Sequence, residues 1–162
     1  MIELQLKRAR DDRRRYGIDD RAWWRRRSWK SCASDAVVDG RELRFRRTGL
    51  LGRAATAEDA ATGVVVAEWR SGWVTTSGAE LRLRRSGGWW KSEWSLKDDS
   101  GDLVRFESRG WTGSEMRLLV DEDARVSRPV LLFAAWLVAC LTQDDADSAA
   151  GATAAVVAST GS

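Results

Sequence analysis

The sequence predicts a mainly β protein, in which an antiparallel meander of about ten to twelve short strands closes around one hydrophobic C-terminal helix. Three observations support this fold class. Residues 130–141 are apolar on every face, two segments repeat at a fixed offset of 38 residues, and apolar residues within each repeat alternate with polar ones. With 162 residues, 43% of them hydrophobic, the chain is long enough for a single core.

The apolar segment VLLFAAWLVACL (residues 130–141) has no charged or strongly polar side chain. A helix that is apolar all round must be enclosed by protein or lipid. Twelve residues make about 18 Å of helix, less than the ~20 residues that cross a bilayer. We therefore predict a core helix over residues 128–142, with Pro129 in its first turn. Residues 143–162 are predicted to be a flexible Ala-rich tail.

The repeat is clearest where RELRFRRTG (residues 41–49) aligns without a gap on AELRLRRSG (residues 79–87). A partial third copy, EMRL, begins at Glu115. In each copy, apolar positions alternate with charged ones, which predicts strands with one face on a core and one face in water. The segment DDSG (residues 98–101) has the residue types of a tight hairpin turn.

Two similar strand-turn-strand segments precede the helix segment PVLLFAAWLVACL (residues 129–141). They are WSLKDDSGDLVRFESRGW (residues 94–111) and ATAEDAATGVVVAEWRSGW (residues 55–73). Together they resemble the tubby C-terminal-like superfamily, which includes tubby domains, phospholipid scramblases and LURP-one-related proteins. The resemblance covers about residues 40–142. It implies a twelve-stranded barrel around a central hydrophobic helix, with phosphoinositide binding in tubby domains and membrane association in scramblase relatives. Many bacterial relatives have no assigned role.

Residues 1–30 lie outside this resemblance and are predicted to be a separate basic, Trp-rich segment, with the barrel over residues 31–142. Residues 1–53 hold 16 Lys and Arg against 8 Asp and Glu, whereas residues 54–162 hold 11 against 16. Such asymmetry indicates an anionic partner. The candidate lipid-binding residues interleave indoles with cations: they are Trp23, Trp24, Arg25, Arg26, Arg27, Trp29 and Lys30. A second interpretation stays open, in which these tryptophans pack on the barrel and the arginines are solvated.

The repeats carry a further row of arginines at positions 44, 46, 82 and 84. Two interpretations stay open for them. They form a basic stripe across neighbouring strands, or they are the water-facing side of half-buried strands.

The chain has no histidine and only two cysteines, Cys32 and Cys140, which are 108 positions apart. This composition removes the commonest general base and any recognisable zinc motif. No catalytic motif such as GxSxG or a phosphate loop is present. We therefore expect no enzymatic activity, no cofactor and no metal. The two cysteines are predicted to be unpaired.

These features predict a non-catalytic binding or scaffold domain in peripheral contact with anionic lipid headgroups. A protein interaction module with an unknown protein partner is one alternative, and a single-stranded nucleic-acid binding domain is another. The small net charge of +3 and the lack of a nucleic-acid motif argue against the last. No signal-peptide pattern or transmembrane span is expected. A cytoplasmic location at the inner membrane face follows, and the Arg-rich, Ala-rich composition indicates a bacterial source.

Overall fold

The computed structural model describes residues 1–28, 31–86, 93–109 and 115–160, with side chains for all of these except 109 and 145–160. The described part forms twelve strands and one long helix. The strands are β1 (Ile2–Arg8), β2 (Arg15–Asp19), β3 (Ala22–Arg26), β4 (Ser34–Val38), β5 (Arg41–Thr48), β6 (Ala54–Asp59), β7 (Val65–Arg70), β8 (Trp73–Thr76), β9 (Ala79–Ser86), β10 (Glu93–Asp98), β11 (Gly101–Arg109) and β12 (Glu115–Val120), and the helix is α1 (Arg128–Thr160).

The strands form a closed barrel in which each strand pairs antiparallel with its neighbours in sequence and β1 pairs with β12. The β1–β12 register runs from Ile2 opposite Val120 to Lys7 opposite Glu115. The predicted mainly β fold, a closed antiparallel barrel around a C-terminal helix, is confirmed. The alternating residues of the repeats point as predicted, because Leu43 and Phe45 in β5 are buried while Arg44 and Arg46 are exposed.

The helix occupies the interior of the barrel. Residues 130–138 are nine consecutive positions, and each is at most 6% exposed, which requires protein on every side of the helix. The wall makes room for it with small residues such as Ala36, Ala55 and Ala57, all buried. The ring of Phe45 packs at 5.5 Å from the ring of Phe133 and at 5.4 Å from that of Trp136.

Polar contacts fix the helix at both ends of the barrel. We call the end at which the helix enters the Pro129 end. There the Arg128 guanidinium is 3.0 Å from the Asp19 carboxylate and 3.1 Å from the Asp39 carboxylate. We call the opposite end, where the helix leaves the barrel, the Cys140 end. There the Trp136 Nε1–H donates a hydrogen bond to the Cys32 carbonyl over 2.9 Å. Asp19 is the last residue of β2 and Asp39 directly follows β4, so the start of the helix is tied to the ends of these two strands.

Two predicted boundaries are wrong. Residues 1–30 are not a separate segment, because β1, β2 and β3 are three of the twelve barrel strands and the buried side chains of Leu6 and Trp24 belong to the core. The helix does not end at residue 142, because its backbone continues to Thr160, where a flexible tail had been predicted. Aspartates disfavour a helix C-terminus, but Asp144 is an interior helix position and its carboxylate pairs with Arg47.

Candidate functional site

The interior of this barrel is filled by its own helix, so a binding site has to be sought on the outer surface. The described part of the predicted segment, residues 23–28, does not form one continuous surface there. Trp24 faces inward, is 1% exposed and stacks on Tyr16 with ring centroids 5.7 Å apart. It is therefore a core residue and is removed from the predicted lipid-contact set.

The arginines of that segment are bound to nearby groups. Arg25 pairs with Asp12 at 2.7 Å, and Arg27 pairs with Asp35 at 2.9 Å. The Arg26 Nε donates to the Ser31 carbonyl over 3.3 Å. Trp29 and Lys30 lie outside the described residues. Of the candidate residues that the structure describes, only Trp23 lines a sizeable surface groove.

The groove lies at the seam between β1 and β2. These strands share two register pairs, Lys7 with Gly17 and Arg8 with Tyr16, whereas every other neighbouring pair in the described barrel shares at least four. The β2 register also shifts between Gly17 and Asp19, a bulge of the kind that bends a strand away from its neighbour. The two strands therefore separate, and a groove of about 440 Å³ opens between them. This volume is within the usual range of small-molecule sites.

We call this space the seam groove. Its lining residues come from β1, the β1–β2 connection, β2, the β2–β3 turn and β3: they are Gln5, Lys7, Arg8, Ala9, Arg10, Asp11, Arg15, Gly17, Ile18, Asp19, Asp20 and Trp23.

One of the lining residues is a glycine, Gly17. Lys7, Gly17 and Trp23 are in register across the three strands. A Cβ at Gly17 would lie 3.0 Å from the Trp23 Cβ and 3.2 Å from the Ala22 carbonyl oxygen. Glycine therefore permits close packing of the indole beside it. The Arg15 guanidinium carbon lies 4.4 Å from the Trp23 ring centroid, which is cation–π geometry.

Cations dominate the upper part of the groove, toward the Cys140 end. Lys7, Arg8, Arg10 and Arg15 line it, and within the described residues none of them forms an ion pair with a carboxylate. The lower part is acidic and partly neutralised, because Asp19 accepts two hydrogen bonds from Arg128. Partial burial raises the pKa of Asp19, but the bonds from Arg128 and from the Arg21 backbone amide lower it overall. Asp20 also lines the lower part, and Asp11 lines the upper part in the same connection as Arg10.

The predicted site residues do not include the four groove cations, because residues 1–30 are predicted to lie outside the barrel. The sequence did hold a signal: Leu4 and Leu6 alternate with Glu3, Gln5 and Lys7, as in a strand. Recognising β1 would have placed Lys7 on the outer face, next to the basic run of the β1–β2 connection.

A second feature at the Cys140 end is a pair of thiols. Cys32 and Cys140 line one small cleft together with Trp136 and Arg26, and both are free, as predicted. They meet because Trp136 bonds to the Cys32 carbonyl, and Cys140 lies one helical turn beyond Trp136 on the same face. A hydrogen bond with Cys140 lowers the pKa of the Cys32 thiol, with help from Arg26, whereas burial raises the pKa of Cys140 well above its usual range.

This difference predicts unequal thiol reactivity. With a disulfide reagent at neutral pH, Cys32 of the folded protein should react on the order of 100-fold faster than Cys140, because a thiolate is the nucleophile and Cys140 needs local opening of the helix end. Reagent titration followed by peptide mass spectrometry measures this. C32S should lose the fast phase and C140S should retain it. Equal rates for the two thiols in the native protein would contradict the burial of Cys140 and the opposite shifts of the two thiol pKa values.

Comparison of the chain with protein-family models, with curated proteins and with solved structures found no match. In the described part of the chain, no group of three or more Cys, Asp or Glu side chains is arranged to hold a metal ion. Within those same residues, no helix combines the length and apolarity needed to cross a bilayer.

Proposed function

We propose that the chain is a non-catalytic binding domain whose seam groove takes phosphate-bearing anionic lipid headgroups at a membrane surface. The observation that carries this proposal is that four cations without carboxylate partners line the groove, and one of them, Arg15, lies over the Trp23 indole. Folded proteins usually neutralise clustered cations, as this one does at Arg25, Arg27 and Arg41. A group of unpaired cations in a concave site supports an anionic ligand as the missing partner.

Phosphate fits the chemistry of the groove. The guanidinium group of Arg10 is a planar fork suited to bidentate contacts with phosphate oxygens, and the Lys7 ammonium is a point charge on the strand position opposite Gly17. The Trp23 indole, with the Arg15 guanidinium stacked on it, provides aromatic surface in the groove for the uncharged part of a headgroup. Each cation near an anionic bilayer contributes about 1 kcal/mol.

We also propose that the chain is a bacterial member of the tubby C-terminal-like superfamily, located in the cytoplasm at the inner membrane face. The support is architectural, because the resemblance implied a twelve-stranded barrel around a C-terminal hydrophobic helix and the chain has this architecture. The high ratio of arginine to lysine supports the bacterial assignment.

The test is co-sedimentation with phosphatidylcholine vesicles, with and without phosphatidylglycerol. Wild type should bind the anionic vesicles selectively. The variant K7Q/R10Q should bind them about 30-fold more weakly, because two contributions of ~1 kcal/mol are removed. The matched control is R44Q/R84Q, which removes two exposed outward arginines of β5 and β9 and should bind like wild type.

Two results would refute the proposed site. One is the absence of any enrichment on anionic vesicles, and the other is an equal loss in K7Q/R10Q and R44Q/R84Q, which would mean that net charge alone governs binding. A single-stranded oligonucleotide that binds wild type more tightly than the vesicles, with loss in K7Q/R10Q, would assign the groove to nucleic acid instead.

A further inference from the structure

The two cysteines of the chain meet at the Cys140 end of the barrel without a covalent bond between them. Cys32 lies in the connection between β3 and β4, and Cys140 lies in α1. A hydrogen bond joins the two thiols. A nucleophilic group of the barrel wall is therefore in contact with a second one on the central helix.

Buried polar groups hold the backbone of Cys32 against the helix. The Trp136 Nε1–H donates to the Cys32 carbonyl over 2.9 Å, and the Ser34 hydroxyl donates to the same carbonyl over 2.8 Å. Trp136 and Ser34 are each 1% exposed, so water does not compete for these bonds. Cys140 follows Trp136 by one helical turn. The fold thus imposes the contact, and a disulfide with an S–S length of about 2.05 Å draws together two sulfur atoms that already touch.

The two thiols differ in their access to solvent. Cys32 is partly exposed, whereas Cys140 is 5% exposed. Both line a cleft that opens at the surface and has a volume of about 20 Å³, which is room for about one water-sized molecule. A small oxidant therefore reaches Cys32 first and finds Cys140 next to it.

The groups around the cleft favour the reactive form of Cys32. The hydrogen bond with Cys140 lowers the pKa of the Cys32 thiol more than partial burial raises it, and the Arg26 guanidinium lowers it further. Asp144 raises this pKa and Arg47 lowers it, and these two side chains pair with each other. Burial raises the pKa of Cys140 well above its usual range. Cys32 is therefore the nucleophile, and Cys140 is a protonated neighbour.

We propose that Cys32 is oxidised by small hydroperoxides and that Cys140 then closes an intramolecular disulfide with it. A partly exposed, reactive thiol beside a second thiol is the arrangement typical of redox-sensitive cysteines. The inference does not rest on the proposed function, because neither thiol lines the seam groove.

Two steps complete the reaction. In the first, the Cys32 thiolate attacks one oxygen of hydrogen peroxide, the O–O bond breaks, and the departing hydroxide takes up a proton and leaves as water. Cys32 becomes a sulfenic acid. In the second, the Cys140 sulfur attacks the Cys32 sulfur, the S–O bond breaks, and the hydroxyl leaves as water with the Cys140 proton. The peroxide gains two electrons, and the two thiols together lose two.

The disulfide ties the central helix to the barrel wall. It closes a loop that contains β4 to β12, and closing a loop of roughly 100 residues strongly restricts the unfolded chain. We expect the midpoint of thermal unfolding to rise by about 5–15 °C on oxidation and to return to its first value after reduction with dithiothreitol.

The test treats the reduced full-length chain with a small molar excess of hydrogen peroxide at neutral pH. Intact mass and non-reducing peptide mapping identify the products, and dimedone traps any sulfenic acid. Wild type should give a monomer in which the Cys32 and Cys140 peptides are linked. C140A should give the dimedone adduct of Cys32 instead, because the second thiol is missing. C32S is the matched control and should keep Cys140 reduced under the same conditions.

Wild type alone can overturn the inference, so the outcome does not depend on whether either variant folds. Survival of both thiols in the native protein would refute the reactive site. Oxidation of Cys32 to a sulfinic acid without a linked peptide would refute the role of Cys140. A disulfide that joins two chains would contradict the intramolecular bond, and faster oxidation of C32S than of C140A would assign the reactive thiol to Cys140.

Discussion

Leu132→Asp is expected to leave the chain unable to fold. Leu132 is 0% exposed within the helix at the centre of the barrel, and an unpaired carboxylate buried there costs several kcal/mol in addition to the lost apolar burial. That penalty is comparable to the whole free energy of unfolding of a domain, about 5–15 kcal/mol. Truncation at Val126 should have the same effect, because it removes the side chains that fill the barrel. Circular dichroism during thermal unfolding measures the outcome.

The control for this prediction is Leu50→Asp, which introduces the same charge at a position that is 90% exposed. It should change the free energy of unfolding by no more than about 0.5 kcal/mol. A soluble, cooperatively melting Leu132→Asp protein would show that the helix is not enclosed as described.

Deletion of residues 1–30 is expected to be equally damaging. It removes β1, β2 and β3, which leaves β4 and β12 as open edges and uncovers the central helix. Unpaired edges and exposed apolar surface favour aggregation. The fully buried side chains of Leu6 and Trp24 are lost with these strands. Size-exclusion chromatography and thermal unfolding should show aggregated or non-cooperative protein.

Deletion of residues 149–162 is the matched control, because it shortens the chain at the end of the helix that lies beyond the buried segment. We expect its free energy of unfolding to stay within about 0.5 kcal/mol of wild type. A monomeric, cooperatively folded protein lacking residues 1–30 would restore the predicted boundary between an N-terminal segment and a separate barrel.

The fold class could be predicted because its signals are local and regular. Alternation at Leu43, Phe45, Leu81 and Leu83 identifies strand faces without any knowledge of their partners. The all-round apolar composition of residues 130–141 requires enclosure, and in a chain rich in strand patterns the enclosing element is a sheet. These arguments use only the periodicity of single elements, which the structure preserves.

The site could not be predicted in the same way, because it arises from long-range register. Trp23 and Trp24 are adjacent and chemically identical, and a shift of one residue in register would exchange their faces. The seam groove opens because β1 follows β12 in register while β2 bulges after Gly17, and no local pattern encodes that separation. Likewise, Cys32 and Cys140 meet through the path of the helix, which their spacing does not reveal.

Amide hydrogen exchange of the full-length chain tests most directly that the helix lies inside a closed barrel. The amides of residues 130–138 should exchange only through global unfolding, at the same free energy as the slowest strand amides. The amides of β1 should be protected together with those of β12. Exchange of the helix amides within minutes, while the strand amides remain protected, would contradict the enclosed helix and with it the closed barrel.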